Sequence, residues 1–111
     1  MTFEETLIQD VLVVRVNESR IVADVVPQFR EGLIAFVERS KSNIVLDLSN
    51  VTFIDSSGLG ALIGCLKAMD RGSELVLSGA RDSVMSMFKL TRMDKVFRTY
   101  ETPEVAVGAL A

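Results

Sequence analysis

Ile44-Val45-Leu46-Asp47-Leu48 is an almost unbroken apolar run of strand length. A strand with one buried face alternates apolar and polar residues, whereas a run like this is expected where both faces are covered. It therefore predicts a central strand with helices packed on the sheet. Ser49-Asn50 turns the chain briefly, and Val51-Thr52-Phe53-Ile54 continues extended. The next stretch, Asp55-Ser56-Ser57-Gly58-Leu59-Gly60, opens a run of helical period. From Gly58 that helix carries Leu59, Leu62, Ile63, Leu66 and Met69 on one face and Gly58, Ala61, Cys65 and Ala68 as a small-residue stripe, and it closes at Arg71-Gly72.

The rest of the chain repeats this logic. Two strands, the second Val11 to Val16, join through a tight Gln9-Asp10 connection, and the β-branched second strand suits an interior position. Val22, Val25, Val26, Phe29, Leu33, Phe36 and Val37 mark an amphipathic helix. Pro27 lacks an N–H and belongs in a first turn, which makes Asp24 the expected N-cap. Glu74 to Ser78 is a strand, Ser83 to Leu90 a helix with Val84, Met87, Phe88 and Leu90 inward, and Val96 to Tyr100 a short edge strand. Thr102-Pro103-Glu104 starts a closing helix, with Thr as N-cap and Pro at the first helical position. The order β-β-α-β-α-β-α-β-α implies an α/β fold, a small mixed sheet of about four to five strands with about four helices. Its 111 residues fit a single domain over 1–111. Function in such sheets gathers at the C-terminal ends of strands, where the Asp55 turn lies.

What the turn does is narrowed by what the chain lacks. No histidine is present, so Ser-His-Asp and Cys-His nucleophile systems are excluded, as are the common zinc sites that need imidazole. Gly58, Gly60 and Gly64 brush against a dinucleotide fingerprint, but the third glycine falls one position late. Gly64 is followed by Cys65 and Leu66 where a phosphate-binding loop needs Lys and Ser or Thr, and Ile54 fills the glycine position of a nucleophile elbow. No cofactor and no metal is implied. Twelve basic against 15 acidic residues, net charge -3, argues against direct nucleic-acid binding, and Lys89, Arg92, Lys95 and Arg98 read as a solvated face.

Apolar runs too short to span a bilayer argue against a membrane partner. An acidic amino terminus and a lone Cys65, small and buried in character, suit a cytoplasmic protein. Asp55, Ser56 and Ser57 could be nothing more than a helix cap. Capping, however, does not require two glycines after two hydroxyls, since glycine in a helix costs roughly 0.5 to 1 kcal/mol against alanine. Close approach by another chain is the reading that explains them.

From Ile44 to Gly60, an apolar strand, a short break, Val-Thr-Phe-Ile and then Asp-Ser-Ser-Gly-Leu-Gly, the chain resembles the STAS-domain anti-sigma factor antagonists, and the resemblance in element order and length extends over essentially the whole chain. It implies a partner-switching protein that is not itself an enzyme. By that resemblance Ser56 is the phosphoacceptor of a partner that is both anti-sigma factor and serine kinase, and a PP2C-type phosphatase reverses the modification. Asp55, Ser57, Gly58, Leu59 and Gly60 complete the partner-binding turn. The family's Gly-x-Leu/Ile-Asp segment after the second strand is not matched: Val22 stands where the acid would fall, with Asp24 two residues on. A non-switching scaffold subunit of a signalling or transporter-associated complex is the alternative. Homo-oligomeric state is left open by the sequence.

Overall fold

Residues 1–110 are described by a computed structural model. The amino-terminal strands form a hairpin, β1 (Thr2–Ile8) and β2 (Val11–Asn17), antiparallel from Thr2 opposite Asn17 to Ile8 opposite Val11. Gln9 and Asp10 both take positive φ, 49° and 68°, as a two-residue turn must when its twist matches that of the strands. Then follow β3 (Arg20–Ile21), α1 (Val26–Arg39), β4 (Ile44–Asp47), β5 (Phe53–Ile54), α2 (Ser56–Ala68), β6 (Leu75–Ser78), α3 (Asp82–Leu90), β7 (Thr99–Tyr100) and α4 (Pro103–Leu110).

The main sheet has the order β1-β2-β4-β6-β7, parallel except for β1, while β3 and β5 pair in parallel as a separate two-stranded sheet. Each apolar strand and helix therefore has a reason to be where it is. On one face, Phe29 and Leu33 of α1, Leu62 and Cys65 of α2 and Phe88 of α3 bury against Val14, Ile44, Leu46 and Leu77. On the other, Ala106 and Val107 of α4 cover Val11, Val13, Val45 and Val76. Both faces of β4 are covered, which is what its apolar run demanded. The single charge in that run, Asp47, is buried and held by Arg15, whose Nε donates to Asp47 Oδ2 at 3.1 Å.

Several expectations need correction. Asp24 does not cap α1: Val25 is the residue before the helix, no side chain caps it, and Asp24 is exposed. The Val25 and Val26 N–H groups instead both donate to the Val22 carbonyl, at 2.9 and 3.1 Å, so a backbone turn precedes the helix and Val22 and Val25 lie outside it. The second helix starts at Ser56 rather than Gly58 and ends at Ala68, before Arg71-Gly72, with Ala68 exposed. Leu90 points to solvent at 81% exposure, because it falls in the last turn of α3, beyond the cover of the core. Val96 to Arg98 are not strand. A short 3₁₀ turn over Met93–Lys95 consumes the connection, leaving only Thr99–Tyr100 to pair with β6. Val51 and Thr52 lie outside the strand register, and β3 was not anticipated. The closing helix starts as expected, with the Val105 N–H donating to Thr102 Oγ1 at 3.2 Å.

Candidate functional site

The turn is built by pairing two very short strands. Arg20 lies opposite Phe53 and Ile21 opposite Ile54, and the Arg20 guanidinium sits 4.8 Å from the Phe53 ring centroid. The Ser19 carbonyl accepts from the Thr52 N–H and from Thr52 Oγ1, at 2.7 and 3.0 Å, and Ser83 Oγ donates to the Thr52 carbonyl at 2.7 Å. These bonds fix the segment that delivers the chain to Asp55. The Asp55 N–H then donates to the Ile21 carbonyl at 3.2 Å.

Asp55 is the cap of α2. Its extended backbone, φ -98° and ψ -177°, places Oδ1 to accept from the Gly58 N–H at 2.9 Å and from Ser57 Oγ at 2.6 Å. Oδ2 accepts from the Ala23 N–H at 3.2 Å, so the same carboxylate ties the start of α2 to the lead-in of α1. The Ser57 hydroxyl, then the Gly58 N–H, hold the carboxyl below its ordinary value of 3.8, outweighing the desolvation that opposes them.

The two serines are thereby divided. Ser57 is half-buried and its hydroxyl proton is committed to Asp55. Ser56, the first residue of α2, is exposed, and among the described residues its hydroxyl makes no hydrogen bond. A free hydroxyl on a helix start, beside a carboxylate that already accepts three hydrogen bonds from other groups, can be modified without dismantling the cap.

The glycines also divide. A Cβ on Gly58 would stand 2.7 Å from Ile54 Cγ1 and 2.8 Å from the Ile21 carbonyl oxygen, so the close approach that excludes a side chain there comes from the chain's own β3. The expectation of approach by another chain is corrected at this position. Gly60 and Gly64, one and two turns beyond Ser56, are exposed, with nothing within 4 Å of where a Cβ would be. Leu59 is buried in the core with Leu62 and Cys65 on the inner face of α2. Burial pushes the Cys65 thiol up to about 11, which keeps it protonated and unreactive.

Elsewhere, Asp24 lies exposed after Ala23 and does not take part in the cap, while Val22, in the place of the expected acid, is half-buried. Lys89, Arg92, Lys95 and Arg98 are exposed, with Arg98 paired to Glu74 at 3.4 Å. Among the described residues no helix is long and apolar enough to cross a membrane. A groove of about 480 Å³ bordered by Glu4, Arg15, Asp47 and Glu104 lies away from the turn and includes none of its residues. The contributions of Ile21, Ala23 and Thr52 escaped sequence reasoning. Two-residue strands carry no periodic signal, and the short apolar stretch Ile21-Val22-Ala23 has too few residues to show one.

With this geometry in place, the relatives are consistent with one another. The model of the STAS domain matches residues 3–106. An anti-sigma-B factor antagonist of Staphylococcus aureus is 32% identical over 81 residues, covering 72% of this chain and 75% of that protein. The crystal structure of an anti-sigma factor antagonist from Mycobacterium paratuberculosis superposes with a TM-score of 0.87 at 26% identity, over 97% of this chain and 92% of the other. An anti-sigma-factor antagonist (STAS) domain protein from Planctomyces limnophilus shares the fold, with a TM-score of 0.85 at 21% identity over 98% and 97% of the two chains. The chain belongs to the STAS-domain family of anti-sigma factor antagonists.

Proposed function

We propose that this chain is an anti-sigma factor antagonist working by partner switching in the cytoplasm. Unphosphorylated, it binds an anti-sigma factor that is also a serine kinase, through the Asp55 turn and the outer ridge of α2, and so releases the kinase's target. Phosphorylation of Ser56 ends that binding, and a PP2C-type phosphatase restores it by hydrolysing the phosphoester. The observation that supports this reading most is the division of the serines: the Ser56 hydroxyl is exposed and, among the described residues, unbonded, whereas that of Ser57 is held at 2.6 Å by Asp55.

The chemistry follows from what each group is free to do. Ser56 Oγ attacks the γ-phosphorus of ATP bound to the kinase, the bond to the β-phosphate oxygen breaks, and ADP leaves. The hydroxyl proton goes to a base of the kinase, because this chain has no histidine and both oxygens of Asp55 already accept hydrogen bonds. Exposed Gly60 and Gly64 leave the ridge beyond Ser56 without side chains, so a partner backbone can approach closely there.

The phosphate adds about -1.5 to -2 charge at neutral pH. A helix N-terminus tolerates an anion, so the fold and the Asp55 cap persist. What changes is the contact surface, where a dianion now stands beside an ionised carboxylate and must be desolvated for the partner to return. Incubation with the anti-sigma factor kinase and ATP, read by intact mass and peptide mapping, tests the acceptor. The expected result is one phosphate, on Ser56, lost in Ser56→Ala and kept in Ser57→Ala; no uptake, or uptake on Ser57, contradicts it.

A further inference from the structure

The turn leaves one edge of the molecule unused. The main sheet ends at β1, whose seven residues pair with β2 without a bulge and contain no proline. In a hairpin closed by two residues, Ile8 and Val11 exchange hydrogen bonds. The backbone groups of Glu4, Thr6 and Ile8 therefore face β2, and those of Phe3, Glu5 and Leu7 face outward, toward no further strand among the described residues. Such an edge is a template for another strand unless it is blunted.

The side chains say which strand would fit. Phe3 packs under α1, 5.6 Å edge-on to Phe36, and Glu5 pairs with Arg39 of α1 at 3.0 Å. Leu7, on the same face, is 66% exposed. We propose that two copies of this chain associate through their β1 edges, antiparallel about a two-fold axis at Glu5, joining the two sheets into one.

That register sets each Leu7 beside the Phe3 of the second copy and covers both leucines. It brings the two Glu5 carboxylates together, but each carries its Arg39, so the four charges sum to zero. Glu4 falls opposite Thr6, with no like charge facing it. An axis at Glu4 would oppose two Glu4 side chains, whose Arg15, 3.7 Å away, is held more closely by Asp47 at 3.1 Å, and would set Leu7 against Met1, outside the strand; an axis at Thr6 would set Leu7 against Glu5. The surface contains none of the turn residues, and the inference stands apart from the proposed switch.

Sedimentation velocity over a concentration series up to about 1 mM tests it. The wild-type chain is expected to pass from monomer to dimer mass, and Leu7→Lys to raise the dissociation constant at least about tenfold, while Leu90→Lys, at a still more exposed leucine on α3, leaves it unchanged. Under mild oxidation Glu5→Cys is expected to cross-link between copies, since residues facing across the axis have Cα atoms about 5.5 Å apart, within disulfide reach. Thr6→Cys, displaced from the axis, is expected to remain uncross-linked. A monomer at every concentration, or a dimer indifferent both to Leu7→Lys and to the position of the cysteine, overturns the proposal.

Discussion

Two helices of this molecule begin side by side and are stabilised in opposite ways. The paired strands β3 and β5 deliver α1 and α2 from neighbouring positions, and each lead-in carries an aspartate. At α2 Asp55 is in the residue before the helix and accepts three hydrogen bonds: from Gly58 N–H, from Ser57 Oγ and, across to the other lead-in, from Ala23 N–H. At α1 Asp24 is one residue further from the helix and caps nothing, because the Val22 carbonyl has already closed a backbone turn on Val25 and Val26. The position of a carboxylate relative to its helix, not its presence, decides whether it becomes structure. The asymmetry also concentrates the polar chemistry on α2, where one serine is consumed by the cap and the other is left free.

The largest expected effect comes from closing the gap between the two lead-ins. Gly58→Ala places a Cβ against the Ile21 carbonyl oxygen and Ile54, and overpacking of this kind costs about 1–3 kcal/mol. Denaturant unfolding should show that loss, whereas Gly60→Ala, in open space on the same helix, should be neutral or slightly stabilising.

Next in size is the carboxylate contrast. Asp55→Ala removes three acceptor interactions and should lower the melting temperature and speed exchange of the Ala23 and Gly58 amides. Asp24→Ala should leave both unchanged. The same contrast has a pH signature. The folded state holds the Asp55 carboxyl below 3.8 through Ser57 and Gly58, so its stabilisation is fully present above 3.8 and fades as pH falls through the lower folded value. Melting curves of wild type and Asp55→Asn should therefore converge in acid below that point.

The smallest effects separate the serines. Ser57→Ala deletes a hydrogen bond to a carboxylate that keeps its other partners, a loss of about 0.5–1.5 kcal/mol. Ser56→Ala touches no bond among the described residues and should stay within about 0.5 kcal/mol of wild type by the same unfolding measurement. Reversal of that order would show that the free hydroxyl had been assigned to the wrong serine.

The elements with long periodic patterns were legible in the sequence. Ile44 to Leu48 announced a strand covered on both faces, Gln9-Asp10 announced the hairpin, and Thr102-Pro103 announced the last helix. The site was legible as residue types at a strand-to-helix turn, and Ser56 only through family resemblance. The bonds that single it out were not legible, since they join Asp55 to Ala23 and Ser19 to Thr52, 32 and 33 residues apart. Gly58 illustrates the limit. Its need for a missing side chain was visible, but the atom that imposes it, the Ile21 carbonyl oxygen, belongs to a two-residue strand with no pattern of its own.

The most direct measurement is calorimetric titration of the anti-sigma factor kinase with wild-type chain and with chain phosphorylated at Ser56, circular dichroism confirming that both are folded. The partner-switching reading predicts at least about a tenfold loss of affinity on phosphorylation, about 1.4 kcal/mol, with an unchanged spectrum. Equal affinity of the two forms would contradict it.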